Sequence, residues 1–492
     1  MSQRLARLRP RAAHLTLAAA LVGFSSAHAQ SRGASGKIPI TTSSTNAKEQ
    51  YVKGRTLAEN LRAQDSREFL MAAGAKDPGM ALAHYSLALS APTAKDFFQH
   101  LKQAVALADK ASEGERLMIL GLEAGSNADT KLQRDYYERL ASAYPKDERA
   151  HFLLGGSYFG LQNYPKAIGE YEKAVDLAPD YAPAYNLLGY AHRANGEFDQ
   201  AETAFKKYIA LIPNDPNPYD SYAELLMKMG RFDESIAMYR KALAVDPHFG
   251  PSHVGVASNL MFQGKHEAAR AELWKFYQAA RNDGDRRNAL FNTAVTYADE
   301  GRFEQALSEL TKEYAVAEKI DDEAAMSADV VAMGDVLLES GKADEARKQY
   351  LQALELVQGA DLSPEVKEDA KLVHHYNLGR VAVRAGDLAG AKEHAAVFLK
   401  GATAKKNAAE TRQAHELAGT VALAEKNFDQ AIAELSQGNQ QDAYNLYRMA
   451  LAYQGKGEAT KAAELFQKVA NQNTLPALNY SFVRAKAKKM KA

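Results

Sequence analysis

APAYNLLGYAHRANGEFDQAETAFKKYIALIPND, residues 182–215, holds two runs in which apolar side chains recur every three or four positions. That spacing predicts two amphipathic helices. Gly196 falls between them, where a helix C-terminus needs a residue that accepts positive φ without steric cost. Pro213 stops the second run, since proline cannot continue a helix. Pro183 sits near the start of the first, where a missing N–H costs nothing. Gly189 and Ala201 mark the place where the two helices should cross, and a larger side chain there would push the axes apart.

The same unit recurs outward from this stretch. The turn NGEFDQA (195–201) returns as MGRFDES (229–235), QGKHEAA (263–269), EGRFEQA (300–306) and SGKADEA (340–346). Pro179, Pro213 and Pro247 stand 34 residues apart, and Gly155, Gly189, Ala223 and Ala257 keep that step. So do Ala167, Ala201, Ser235 and Ala269. A fixed period of this length is the signature of an all-α helix–turn–helix array. Each repeat buries its apolar face only against its neighbours, so stability accumulates with repeat number.

The unit starting at 148 carries Leu154, Gly155, Tyr158, Ala167, Tyr171, Ala174 and Pro179. The next carries Tyr185, Leu188, Gly189, Ala201, Phe205 and Pro213, and the one at 216 carries Tyr219, Tyr222, Ala223, Leu226, Ser235, Tyr239, Ala242 and Pro247. These units resemble tetratricopeptide repeats (TPRs), with departures at His192 and Tyr208. The resemblance implies a right-handed α-solenoid, with a regular array over 47–283 and a longer-period array over 284–475. Downstream crossings at Ala294, Gly334, Gly379, Gly419 and Ala450 drift from the regular step, which predicts longer helices or loops. The register is expected to break at RNDGDRR (281–287) and QGADLSPE (358–365).

The ends read differently. Residues 1–29 combine a basic stretch, MSQRLARLRPR, an apolar LTLAAALVGF too short to span a bilayer, and the small-x-small site Ala27-His28-Ala29. This predicts a cleaved secretory signal, a mature chain from Gln30 and a periplasmic location. Residues 30–46 are rich in Ser, Thr and Gly, predicting a flexible leader. Residues 476–492 are assigned to a basic C-terminal tail, in which RAKAKKMKA (484–492) fits a solvated last helix or tail. The chain has 61 basic and 61 acidic residues, and without the four arginines of the leader the acids exceed the bases. No electrostatic footprint for nucleic acid results. The sequence has no Cys, which excludes disulfides, thiolate metal sites and a cysteine nucleophile.

Candidates for chemistry fall to blander readings. His84, His151, His253, His375 and His415 occupy one repeat position, which in the family packs between helices, and no HExxH spacing accompanies them. The acidic run Asp321–Glu323 reads as a loop or helix start. No phosphate-binding glycine loop and no GxSxG elbow occurs. No cofactor, metal or catalytic residue is expected. The family's first helices line a concave groove, and the resemblance assigns ligand-facing positions to Phe152, Phe159, Asn186, Tyr190, Arg193, Asp220, Glu224, Val254, Ser258, Met227 and Met261. One subfamily grips a partner's C-terminal carboxylate from these positions. Here Asp220 and Glu224 would repel it, so that specificity is not carried over. The expectation is a non-catalytic periplasmic scaffold for protein or peptide partners, in envelope assembly or secretion, with self-association left open. A helper of polysaccharide or peptidoglycan machinery, and an enzyme or enzyme subunit with a site between repeats, remain as alternatives.

Overall fold

The computed structural model describes residues 36–490 apart from 61, 92–93, 128, 361, 363 and 406. The expected signal and the mature start at Gln30 lie outside the described residues. Among those described, no strand forms, and helices follow one another in antiparallel pairs. The chain divides between Pro218 and Tyr219 into two compact units.

In the first unit α1 (Thr45–Glu59) pairs with α2 (Ala63–Lys76), α3 (Ala81–Leu89) with α4 (Ala94–Leu107) and α5 (Glu113–Ser126) with α6 (Thr130–Ala143). Then α7 (Glu148–Gly160) pairs with α8 (Tyr164–Leu177), and α9 (Ala182–Asn195) with α10 (Phe198–Leu211). The crossings follow the expected chemistry. A Cβ at Gly155 would lie 2.7 Å from the Tyr171 ring, and one at Gly189 would lie 2.7 Å from that of Phe205. At these two crossings the missing side chain leaves the space in which the aromatic of the second helix seats. Gly196 takes φ +85° as the C-cap of α9, and the Glu197 N–H reaches back to the His192 carbonyl. One period earlier Gln162 adopts φ +62° in the same role, at a steric cost glycine escapes.

Of the expected flexible leader, residues 36–46 are described, and they are fastened to the helices that follow. After a bend at Gly36 and Lys37, residues 38–42 pass across the N-termini of α5 and α7. The Ile38 N–H donates to Asp147 Oδ2 at 2.8 Å and the Thr41 N–H to Glu115 Oε1 at 2.7 Å. Thr42 Oγ1 donates to Asp77, and Lys37 pairs with Glu148. Ile38 and Ile40 pack on the unit's core. The Ser/Thr-rich composition hid a period-two Ile-x-Ile strap whose backbone donors are met by buried or half-buried acids.

In the second unit α11 (Pro216–Lys228), which runs through the boundary, pairs with α12 (Phe232–Val245), and α13 (Gly250–Phe262) with α14 (His266–Ala279). Next come α15 (Asp283–Asp299) with α16 (Phe303–Lys319), α17 (Glu323–Glu339) with α18 (Ala343–Gly359) and α19 (Pro364–Ala385) with α20 (Leu388–Ala404). Then α21 (Ala408–Ala424) pairs with α22 (Phe428–Gln437) and α23 (Ala443–Lys456) with α24 (Ala459–Ala470), before a final α25 (Leu478–Met490). The drift in spacing is absorbed by helix length. Helices α13 and α14 have 13 and 14 residues, whereas α15 to α18 have 17 each.

The basic tail is a last helix, as one of the two expectations had it, but a buried rather than a solvated one. It forms α25, whose Leu478, Tyr480, Phe482, Val483 and Ala487 are buried, and Arg484 is only 5% exposed. The lysines that suggested solvent lie mostly on one side and at the far end. LNYSFVRAKA carries enough apolar residues to make the remaining sides a packing surface.

Candidate protein-binding faces

The inner-face positions divide between the units. In the first, Phe152 of α7 lies edge-on to Tyr181 with ring centroids 5.5 Å apart, and Phe159 meets Tyr164 at 5.5 Å. Tyr190 of α9 stands edge-on to Phe205 at 5.2 Å, and the Arg193 guanidinium sits 4.7 Å over the Tyr190 ring. Such contacts fix orientation as well as position. Phe152, Phe159, Tyr190 and Arg193 all keep part of their surface in solvent. Asn186, on the same helix one turn before Tyr190, is 8% exposed, and its Oδ1 has no hydrogen-bond partner. An unpaired buried acceptor costs about 1–3 kcal/mol unless something supplies a donor.

In the second unit the expected positions are less accessible. Met227 and Met261 are 1% and 0% exposed, inside a core cluster that includes Tyr480, Phe482 and Val483 of α25. Val254 and Ser258 are buried too. The expectation that these residues face an incoming ligand is corrected: they are buried, and the chain's own last helix covers the surface to which Met261 belongs. Glu224 stays partly exposed, while Asp220 is buried and accepts from Ser252 Oγ at 2.6 Å. Burial, with the Glu224 charge nearby, pushes the Asp220 carboxyl well above the usual range.

The residues that hold α25 were not singled out from sequence. Arg484 Nε donates to Asp299 Oδ1 at 2.7 Å, its Nη2 pairs with Asp299 Oδ2, and the guanidinium lies 5.2 Å from the Phe262 ring centre. His266 Nε2 contacts the same carboxylate at 2.8 Å. Burial acts to raise the Asp299 carboxyl, but the His266 and Arg484 hydrogen bonds and charges outweigh it and hold it below its ordinary value. Lys486 pairs with Glu339, whose other oxygen accepts from Tyr444 Oη at 2.7 Å. Asp299 and Glu339 are the last residues of α15 and α17, and nothing local in sequence distinguishes them from solvated helix-end acids.

The repeat-position histidines pack between helices, on the second helix of their own repeat and, for His151 and His253, on the proline carbonyl that ends the preceding one. His151 Nδ1 meets Glu170 at 2.6 Å and its Nε2 the Pro145 carbonyl at 3.1 Å. His253 repeats this with Glu272 at 2.8 Å and the Pro247 carbonyl at 3.0 Å, and His415 with Glu434 at 2.8 Å. His84 faces His100 and His375 faces His394 across the same gap. The Glu170 hydrogen bond holds His151 above its ordinary value despite burial. Among the described residues no three His, Cys, Asp or Glu side chains gather as a metal site would require.

Tetratricopeptide-repeat family profiles match residues 133–182, 157–216 and 331–391, and further TPR profiles match 217–249 and 444–473. The chain is a tetratricopeptide-repeat protein. Solved structures similar to this TPR chain include a TPR protein from Parabacteroides merdae ATCC 43184, 16% identical, covering 58% of this chain and 99% of that one with a TM-score of 0.35. Others are MamA from Desulfovibrio magneticus RS-1 (15% identical, 34% and 96% covered, TM-score 0.31) and a thermophilic TPR protein of Thermus thermophilus (20%, 37% and 98%, TM-score 0.30). No curated protein matches the chain. Among its described residues no helix is long and apolar enough to cross a membrane.

Proposed function

We propose that this TPR protein is a non-catalytic scaffold that binds protein or peptide partners on the inner faces of its first helices. We assign it to the periplasm, in envelope assembly or secretion, on the strength of the N-terminal sequence pattern. The observation that carries the binding reading is the face of α7 and α9. Aromatic rings and Arg193 are held there in fixed orientations yet keep part of their surface in solvent. An extended or helical segment laid across the face would meet these rings and the guanidinium. The non-catalytic reading is supported by the histidines at the repeat position, each engaged with its own repeat's second helix.

The test is a photoreactive side chain placed at Arg193 in living cells, with the exposed Thr203 of α10 as control. Discrete protein adducts at 193 and none at 203 are expected. Equal labelling at both positions, or none at either, refutes the assignment of this face.

A further inference from the structure

Helix α25 has no second helix of its own to pair with, and it is enclosed rather than appended. Tyr480 and Phe482 are two residues apart, so they leave the helix on nearly opposite sides, yet both are buried. Tyr480 packs on Phe262 with centroids 5.9 Å apart, and Phe482 on Phe303 at 6.2 Å. Arg484 meets Asp299 across 185 residues of chain and donates to the Met261 carbonyl at 3.5 Å; Lys486 meets Glu339 across 147. The connector is held in the same manner. Lys228 Nζ donates to the Gln472 carbonyl at 2.7 Å, and Gln472 Nε2 to that of Gln441 at 2.5 Å. The walls come from the first helices α13, α15, α17 and α23 together with α24, the second helix of the last repeat, and Asp299 and Glu339 stand where α25 carries Arg484 and Lys486.

These features match the way a groove holds a helical ligand. Aromatic anchors seat in apolar pockets, one arginine is read by a buried acid in bidentate fashion, and a peripheral lysine meets a second acid. We propose that the inner groove of α13, α15, α17 and α23 is a binding site for a helix of another protein that presents two aromatics followed by an arginine and a lysine, and that α25 is its resident, displaceable occupant. This rests on the protein-binding reading above but concerns the second unit rather than the face of α7 and α9. Asp299 and Glu339 are the selecting residues. A tether this short holds α25 at an effective concentration on the order of millimolar. A partner helix of equal intrinsic affinity at about 1 µM would then hold roughly one groove in a thousand, so the true partner binds far more tightly than α25 does or acts when the connector is pulled or cut.

The experiment uses the full chain with a protease recognition sequence inserted after Leu475, in the connector. After cleavage, a fluorescent peptide of residues 476–492 is added and followed to a constant end point. Saturable entry is expected, with uptake at least 100-fold weaker in the uncut protein. An Arg484→Gln peptide should bind at least 30-fold more weakly, and that loss should largely vanish when the protein carries Asp299→Asn. Failure of the peptide to enter, or loss of helicity upon cutting, makes α25 an integral core helix and overturns the proposal. A dimer with exchanged C-terminal helices would make a second copy the occupant and overturn it too. Crosslinking at Arg193 reads the other unit and is indifferent to the cut, so failure of either reading is recognised separately.

Discussion

Replacing Gly189 tests the packing on which every repeat depends. A Cβ there would stand 2.7 Å from Cε1 and Cζ of Phe205, and 2.9 Å from its Cδ1. Carbon atoms in contact prefer about 3.5–4.0 Å, so the ring must retreat by roughly 1 Å. It has little room, because Phe205 is 0% exposed and stands edge-on against Tyr190. Two effects then compete in Gly189→Ala. The helix gains about 1 kcal/mol in intrinsic propensity. The overlap costs about 1–3 kcal/mol. A net loss of about 0–2 kcal/mol follows for Ala, by difference of those two figures. Gly189→Leu adds three more carbons at the same point and should reach about 3 kcal/mol. Gly169 supplies the control of opposite sign. It lies within α8 with nothing near its missing Cβ, so Gly169→Ala should stabilise by up to about 1 kcal/mol. Urea unfolding followed by helical circular dichroism gives the midpoints. Amide exchange of the α9 and α10 segments shows where opening begins, which matters because repeat arrays need not unfold in one step. Adding Phe205→Leu to Gly189→Ala should relieve the overlap and give a coupling of about 0.5–3 kcal/mol. A Gly189→Leu protein with wild-type midpoint and wild-type protection of α9 would refute the crossing argument.

Two further predictions concern single side chains. Burial, with Asp442 nearby, pushes the Glu416 carboxyl up to about 7 from an ordinary 4.5. A raised folded-state value means the contribution is fully present below about 4.5 and is lost as pH rises through 7, so Glu416→Gln should gain about 2–3 kcal/mol on wild type at pH 8 and little at pH 4.5. Gln keeps an acceptor for the Asn439 N–H, and a pH-independent difference in urea midpoint would contradict the burial argument. Gln162→Gly removes the left-handed strain at φ +62° and should raise stability by about 1 kcal/mol, visible as a higher thermal midpoint; an unchanged or lower midpoint means the position carries no strain.

The repeat, its helices and its crossings were legible because each depends on residues close in sequence. Gly189 meets Phe205 sixteen positions on, and the turn at Gly196 is set by its own φ. The 34-residue step needs no knowledge of distant chain, since every unit packs on the next. The histidines at the repeat position were readable for the same reason.

What tertiary structure alone decided are the two ends and the availability of the inner face. The strap at 36–42 is fastened to Asp147 and Glu115, 109 and 74 residues away, and α25 to Asp299, 185 residues away. Composition made one look like a loose leader and the other like a charged tail. A charge reads as solvated until its counter-charge is brought to it, and that partner is named only by the path of the whole chain. Met227 and Met261 had the right position for a ligand-facing surface. That both are buried, Met261 under the protein's own last helix, is settled by long-range packing, which no periodicity encodes.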